Sequence, residues 1–365
     1  MTFEVARKAI DYILSCENEM REESVIWDFI GGEPFIEIDL IDKICDYLKI
    51  EMFKRNHHWF NSYRFSFSTN GINYHTEPVQ RFIEKNRSHL SIGITIDGTR
   101  RKHNLNRIYK DNGTGAEVGS YDDVVRNIPL WLSQFPNSGT KVTISSPDIP
   151  YIYESVLHLF SLGIHEVNIN CVFEDVWQEG DDKLFEEQLM KLADKIIDDD
   201  LYEDNACSFF SEFIGKPMDP VNENMNWCGA GKMLSVDAAG NFYPCTRFAA
   251  YSLRSKEPII IGNIETGINS DLLRPFLTLD RLTQSPRECI DCQVASGCAW
   301  CQGENYDAAQ TDTIYQRATA ICKMHKARVR ANNYYWNKLF RKLDLKAMSH
   351  DAAKQSNPFN CQKLC

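Results

Sequence analysis

No stretch of this 365-residue chain approaches the roughly 18 consecutive apolar residues that a membrane-crossing helix needs. Its first residues, Met1 to Val5, carry neither the basic and apolar segments of a secretion signal nor a lipidation motif. These absences make a cytoplasmic protein without a membrane partner the expectation. Positive charge is also in deficit, with 40 Lys and Arg against 51 Asp and Glu and a formal net charge of −11. That balance argues against general nucleic-acid binding, although a local basic patch can escape the average. No internal repeat is evident, so a repeat array is not expected.

Cysteine, in contrast, is abundant, at thirteen residues. In a reducing compartment so many thiols favour metal ligation over disulfides. Seven lie between residues 228 and 322: Cys228, Cys245, Cys289, Cys292, Cys298, Cys301 and Cys322. The spacing C-x2-C-x5-C-x2-C over 289–301 lets one loop supply several ligands to a soft metal. One structural zinc site would use Cys289, Cys292, Cys298 and Cys301 and leave the other three without a role. Iron–sulfur clusters would employ more of them.

The first 200 residues alternate helical and strand patterns. Thr2 is placed to cap a helix with Phe3, Ala6, Ile10, Ile13 and Leu14 on its apolar side. Strands are expected at 24–30, 63–68, 90–96, 140–145 and 165–170. Helices are expected between them at about 40–48, 76–86, 121–135 and 150–161, with another at 184–197. Such alternation predicts right-handed crossovers and a mainly parallel sheet, with ligands at the strand ends. Beyond residue 200 periodicity fades. A short hairpin over 234–245 is expected to bring Cys245 beside Cys228, and a helix over about 312–345 carries Cys322.

Three strand ends are polar: Gly31-Gly32-Glu33-Pro34, Ser68-Thr69-Asn70-Gly71 and Thr95-Ile96-Asp97-Gly98. The paired glycines allow close approach to backbone, and Glu33 can accept from an ammonium or hydroxyl; a tight turn is the simpler reading. Three such ends on one sheet suggest a shared pocket. His103 and Arg107 share a helical face, as a solvated pair or with Arg107 gripping a carboxylate. Asn168 and Asn170, at period two, point to one side of their strand.

With these motifs in place, the chain resembles the radical S-adenosylmethionine enzymes with a SPASM domain over about residues 1–345. Its wording at 27–35, 61–73 and 294–307 is similar to peptide maturases acting on cysteine-repeat targets, in the thioether-forming branch. The resemblance implies an α/β fold: an incomplete (β/α)6 partial TIM barrel lacking its first strand (residues 1–200), a cysteine-rich SPASM domain (201–345) and a flexible tail (346–365). It implies that Gly31, Gly32 and Glu33 bind the aminoacyl part of S-adenosylmethionine, with Ser68, Asp97 and Ser145 nearby. Cys289, Cys292, Cys298 and Cys322 would hold one auxiliary [4Fe–4S] cluster. Cys228, Cys245 and Cys301 would hold a second, with an iron open to substrate thiolate unless Cys207 completes it. The final x2 spacing departs from the family's usual x3.

The family's reactive cluster sits on C-x3-C-x2-C, and that motif is absent here; Cys16 and Cys45 do not replace it. The expectation is an N-terminally shortened chain, inactive alone. The full-length form would use a third [4Fe–4S] cluster and S-adenosylmethionine to make a 5′-deoxyadenosyl radical. Its partners would be a cysteine-containing precursor peptide and an electron donor such as flavodoxin or ferredoxin. The alternative is a noncatalytic peptide-binding scaffold with iron–sulfur or zinc sites. For that reading the basic residues Lys323, Lys326, Arg328, Arg330, Lys338, Arg341 and Lys342 would face an acidic peptide or RNA, although a basic helix face is usually just solvated. Cys361 and Cys365 read as loose thiols.

Overall fold

The computed structural model describes residues 1–16, 22–110, 113–218 and 228–343. Cys361, Cys365 and the expected tail therefore lie outside the described residues. The first half runs α1 (Phe3–Ser15), β1 (Val25–Phe29), α2 (Ile38–Lys54), β2 (Tyr63–Thr69), α3 (Glu77–Asn86), β3 (Leu90–Ile94) and α4 (Arg100–Asn106). A small hairpin, β4 (Ile108–Lys110) and β5 (Glu117–Gly119), interrupts the alternation. It resumes with α5 (Tyr121–Val125), α6 (Ile128–Gln134), β6 (Thr140–Ile144), α7 (Ile152–Ser161), β7 (Glu166–Cys171), α8 (Asp181–Asp198) and β8 (Ala206–Cys207). Strands β1-β2-β3 pair in parallel, as do β6-β7-β8. Thr140 stitches the two sheets together: its Oγ1 donates to Ile94 O at 2.7 Å and accepts from Ile96 N at 3.1 Å.

Strands β2, β3, β6 and β7 each have one buried and one more open face, as alternation requires. Phe65, Phe67 and Thr69 are buried, while Ser66 and Ser68 lie on the other face. In register with them stand Ser91 and Gly93, and further along Lys141 with Asn168 and Thr143 with Asn170. Ile26 and Ile30, on that same face of the β1 segment, stay 56% and 47% exposed. Among the described residues no strand pairs with the outer edge of β1.

The expected helix over 121–135 is broken. Pro129 offers no N–H, and buried Asn127 turns its side chain away to donate to Gly71 O at 2.8 Å. The cysteine-rich half contains a small antiparallel sheet, β9 (Ser235–Val236), β10 (Asn241–Tyr243), β11 (Gly262–Asn263) and β12 (Gly267–Ile268). It also has α9 (Ser270–Thr278), α10 (Arg281–Gln284), α11 (Arg287–Ile290), α12 (Gln302–Ala308) and α13 (Cys322–Lys342). The last helix starts ten residues later than expected, because Asn305 Oδ1 takes the Ala318 N–H at 2.8 Å and holds the preceding segment against α12.

Two apolar clusters form. One contains the strands, their helices and the buried side of α13, including Met324, Ala327, Ala331 and Tyr335. Thus α13, expected with the cysteine-rich region, packs its apolar face into the first half. The second cluster gathers Ala230, Phe242, Phe248, Ile261 and Phe276 around the small sheet. Helix α1 serves both: Ile10 and Leu14 enter the first, while Ala9 enters the second. Tyr12 stacks on Phe242 at 5.2 Å and accepts the Ile268 N–H at 2.7 Å. No helix among the described residues is long and apolar enough to cross a membrane.

Candidate functional site

The three polar strand ends meet. Glu33 Oε1 accepts from Thr69 Oγ1 at 2.6 Å and from Phe35 N at 3.1 Å, and Oε2 accepts from Asn70 N at 2.7 Å. Thr95 N donates to Thr69 O at 2.9 Å, bringing in the third strand. The glycines of these loops differ in kind. Gly71 has φ +76°, and an added Cβ would lie 2.7 Å from Ile94; Gly98 has φ +123° and would meet Ser155 at 2.2 Å. Both are dictated by packing and backbone shape. At Gly31 and Gly32 a Cβ would meet nothing within 4 Å. Their surface is open.

Ser68 accepts from Lys141 Nζ at 2.9 Å across side-chain-less Gly93. Asp97 is nearly buried and engaged within the chain: Arg107 Nε donates to Oδ2 at 2.6 Å. Of the two readings of the His103–Arg107 pair, the second describes Arg107, and the carboxylate it grips is Asp97. His103 accepts the Asp97 N–H on Nδ1 at 3.2 Å, so Nε2 carries the proton and donates to Ser120 Oγ at 2.9 Å. Burial pushes the His103 pKa down to about 4. Ser145 caps the turn at 146–151, donating to Asp148 Oδ2 at 2.7 Å. Asp148 Oδ1 faces Lys102 Nζ at 3.1 Å, and side chains of both are at most 2% exposed. Sequence reasoning missed Lys102 because a lysine after a strand end reads as solvated.

The seven cysteines come from separate elements. Cys245 ends the β9–β10 hairpin, whose turn needs Gly240 at φ +85°, and Gly231 N donates to Pro244 O at 3.0 Å to hold the Cys228 loop alongside. Burial pushes the Cys245 thiol up to about 12, and neighbouring Cys228 and Cys301 add to it. Cys301 is likewise raised by burial and by Cys228. Cys289 and Cys298 are raised by burial and by a different set of thiols, Cys292 and Cys322 among them. Electrostatic influence thus links Cys245 and Cys301 with Cys228, and Cys289 and Cys298 with Cys292 and Cys322. Among the described residues no three His, Cys, Asp or Glu side chains converge on a single-ion position.

Each thiol set has a guanidinium against it. Arg317 Nη2 lies 3.4 Å from Cys298 Sγ. Arg247 lowers Cys301 and is held by Glu174, in the loop after β7, at 2.7 Å, and by Glu304 of α12 at 3.3 Å. Arg254 closes this network on Glu304 at 2.6 Å and Asp307 at 2.9 Å. All-sulfur donors with adjacent cations suit a soft metal centre carrying net negative charge. Cys207 stands apart: on β8, paired in register with Val167, it is buried and influenced by the Phe209 N–H and Arg328. Cys171 is also buried, beside Arg328.

The basic residues of α13 are largely committed within the chain. Arg330 pairs with Glu186 at 2.6 Å, Lys338 with Asp194 and Asp198 at 2.7 and 2.8 Å, and Lys342 with Asp200 at 2.5 Å. Arg328 Nε donates to Phe209 O at 3.2 Å. Of the seven expected to face an acidic peptide or RNA, Arg330, Lys338 and Lys342 neutralise α8 and its C-terminal turn.

No family model matches the chain. The uncharacterized protein MJ0907 of Methanocaldococcus jannaschii is 25% identical over 173 residues, which is 47% of this chain and 53% of that protein. The match thus spans about half the length of that curated relative. Among solved structures, native anSMEcpe with bound AdoMet and Kp18Cys peptide is similar at a TM-score of 0.61 and 18% identity, covering 93% of this chain and 90% of that one. Streptococcus suis SuiB bound to precursor peptide SuiA is similar at 0.52 and 15% identity, covering 88% and 69%. The resemblance to radical S-adenosylmethionine peptide maturases read in the sequence thus extends to a shared fold, mixed α/β with parallel sheets.

Proposed function

We propose that this chain is the cofactor-cradling and auxiliary-cluster portion of a radical S-adenosylmethionine/SPASM peptide maturase whose full-length form builds cysteine thioethers in a ribosomally made peptide. In this reading residues 1–200 form the incomplete (β/α)6 barrel and 201–345 the SPASM domain. S-adenosylmethionine with a reactive [4Fe–4S] cluster supplies a 5′-deoxyadenosyl radical, and the ligands for that cluster are not in this sequence. The chain alone is therefore expected to be inactive.

The observation that carries the reading is the division of seven thiols into a set of four and a set of three, each drawn from distant segments and each facing an arginine. Four thiols saturate one [4Fe–4S] cluster, and three leave an iron open to a substrate thiolate. Support also comes from the loop after β1. Gly31 is set by its backbone at φ +159°, whereas at Gly32 neither packing nor backbone shape requires glycine and close approach of a ligand would. Glu33 keeps acceptor capacity beyond the three donors it already meets, enough for an ammonium. Ser68 and Lys141 present a hydroxyl and a cation on the open strand face, where a carboxylate or peptide can be met. Asp97 and Ser145 would act by holding Arg107 and the turn at 146–151 in place.

Anaerobic reconstitution followed by iron, sulfide and zinc analysis tests the proposal. About eight iron and eight sulfide per chain are expected for two [4Fe–4S] clusters; zinc without sulfide overturns it. The second reading, a noncatalytic peptide-binding scaffold in the cytoplasm, is favoured by one fact, the missing C-x3-C-x2-C. It predicts capture of a cysteine-containing peptide with no dependence on a reductant such as flavodoxin.

A further inference from the structure

We infer that the two arginines beside the thiol sets have different tasks: Arg317 raises the reduction potential of the centre at Cys289, Cys292, Cys298 and Cys322, whereas Arg247, shared between two carboxylates, ties the segment that bears Cys301 to the loop after β7. The inference rests on the iron–sulfur reading above and adds to it which residues govern electron affinity.

The surroundings of the two guanidinium groups carry the distinction. Arg317 Nη2 is 3.4 Å from Cys298 Sγ, and its other contacts are uncharged: Ser285 Oγ at 3.2 Å, Ala299 O at 3.4 Å and the face of Trp300 at 5.8 Å. Among the described residues no carboxylate pairs with it. Glu288 acts on Cys289, and both it and Asp291, next to Cys292 in the chain, are exposed, where water and salt screen them. The positive charge of Arg317 is thus directed at sulfur. An added electron makes a cluster more negative, so a fixed cation and an N–H···S contact both favour the reduced form.

Arg247 is compensated. Its Nη2 donates to Glu174 at 2.7 Å and to Glu304 at 3.3 Å, and Glu304 is almost fully buried. Arg254 adds one positive charge and Asp307 one negative. Two cations and three carboxylates leave this network without positive excess. Arg247 also ties the loop after β7 to α12, which begins immediately after Cys301.

The test is a potentiometric titration of the reconstituted full chain, followed by electron paramagnetic resonance, with iron and sulfide measured in each sample. Arg317→Gln is expected to keep full iron and move one wave to more negative potential. At fixed applied potential the reduced-to-oxidised ratio of that centre falls by about tenfold, 59 mV for one electron. Arg317→Lys, which retains charge near sulfur, is expected to recover most of that shift. Arg247→Gln, which takes one of its two cations from buried Glu304, is expected to lower iron and sulfide at the second centre and to leave the wave of the Cys289, Cys292, Cys298 and Cys322 centre in place; full iron and sulfide in that variant overturn the anchoring role. Full iron and sulfide with unmoved waves in Arg317→Gln overturn the inference alone. Loss of iron in that variant also overturns it, because the arginine would then serve assembly. Zinc without sulfide in the parent chain overturns the underlying reading.

Discussion

The Glu33 carboxylate accepts the Thr69 hydroxyl at 2.6 Å, so the loop after the first parallel strand is locked to the end of the second. Phe35 N and Asn70 N complete three donors on one side chain. Glu33→Ala leaves these groups without their acceptor and is expected to destabilise the chain by roughly 1–3 kcal/mol in urea unfolding. Glu33→Gln, which keeps one acceptor oxygen, should cost less. Equal midpoints for the parent and Glu33→Ala would show that the lock contributes nothing.

Gly32 offers the complementary experiment. Because an added Cβ meets no atom within 4 Å, Gly32→Ala should change unfolding by no more than about 0.5 kcal/mol. Its binding of S-adenosylmethionine, read by equilibrium dialysis, should weaken. Undiminished binding would mean that the open glycine surface faces solvent rather than cofactor.

The Lys102–Asp148 pair is buried at 3.1 Å. Asp148→Asn leaves Lys102 as a buried cation without its counter-charge and is expected to cost about 3–5 kcal/mol. Lys102→Met combined with Asp148→Asn should recover a large part of that loss. If the double variant is no more stable than Asp148→Asn alone, the pair is not coupled.

His103 makes stability depend on pH. Its folded pKa, about 4, lies below the ordinary value of 6.5 because burial opposes the charged ring. The unfolded chain therefore takes up this proton first as pH falls. The stabilising contribution is full above about pH 6.5 and is lost toward pH 4, amounting to roughly 3 kcal/mol at 1.36 kcal/mol per unit. The groups acting on the ring are Asp97, Arg107 and Lys102. Urea unfolding between pH 7.5 and 5 should show a smaller loss in His103→Gln than in the parent, and parallel curves would contradict this assignment.

Cysteine replacement should split the metal content. Cys298→Ser and Cys301→Ser are each expected to lower iron by about four atoms per chain, from different centres, and the double variant to remove nearly all. Losses that do not add would place both cysteines in one centre.

Much of this was legible in the sequence, for identifiable reasons. Strand positions followed from period-two alternation, as in Tyr63–Thr69, and the hairpin beside Cys245 from Gly240 and its flanking polar residues. The break at Asn127 was less readable, since amphipathic spacing continues through Pro129 and only the carbonyls of Gly71 and Ile72 give Asn127 a reason to turn. The late start of α13 depends on Asn305, a contact across thirteen residues. Basic residues on α13 gave no sign that α8 would supply their acids, because complementarity between helices distant in sequence has no local pattern.

Local sequence carries the inventory: parallel β/α alternation, polar strand ends, seven spaced thiols and no C-x3-C-x2-C. Those follow from local chemistry and short-range spacing. Only the tertiary structure shows that Cys207 sits with Arg328 and that Asp97 is held by Arg107. It also decided that one arginine meets sulfur uncompensated while the other is shared between two carboxylates. Such pairings depend on distances between segments that the chain brings together only when its two apolar clusters form around α1 and α13.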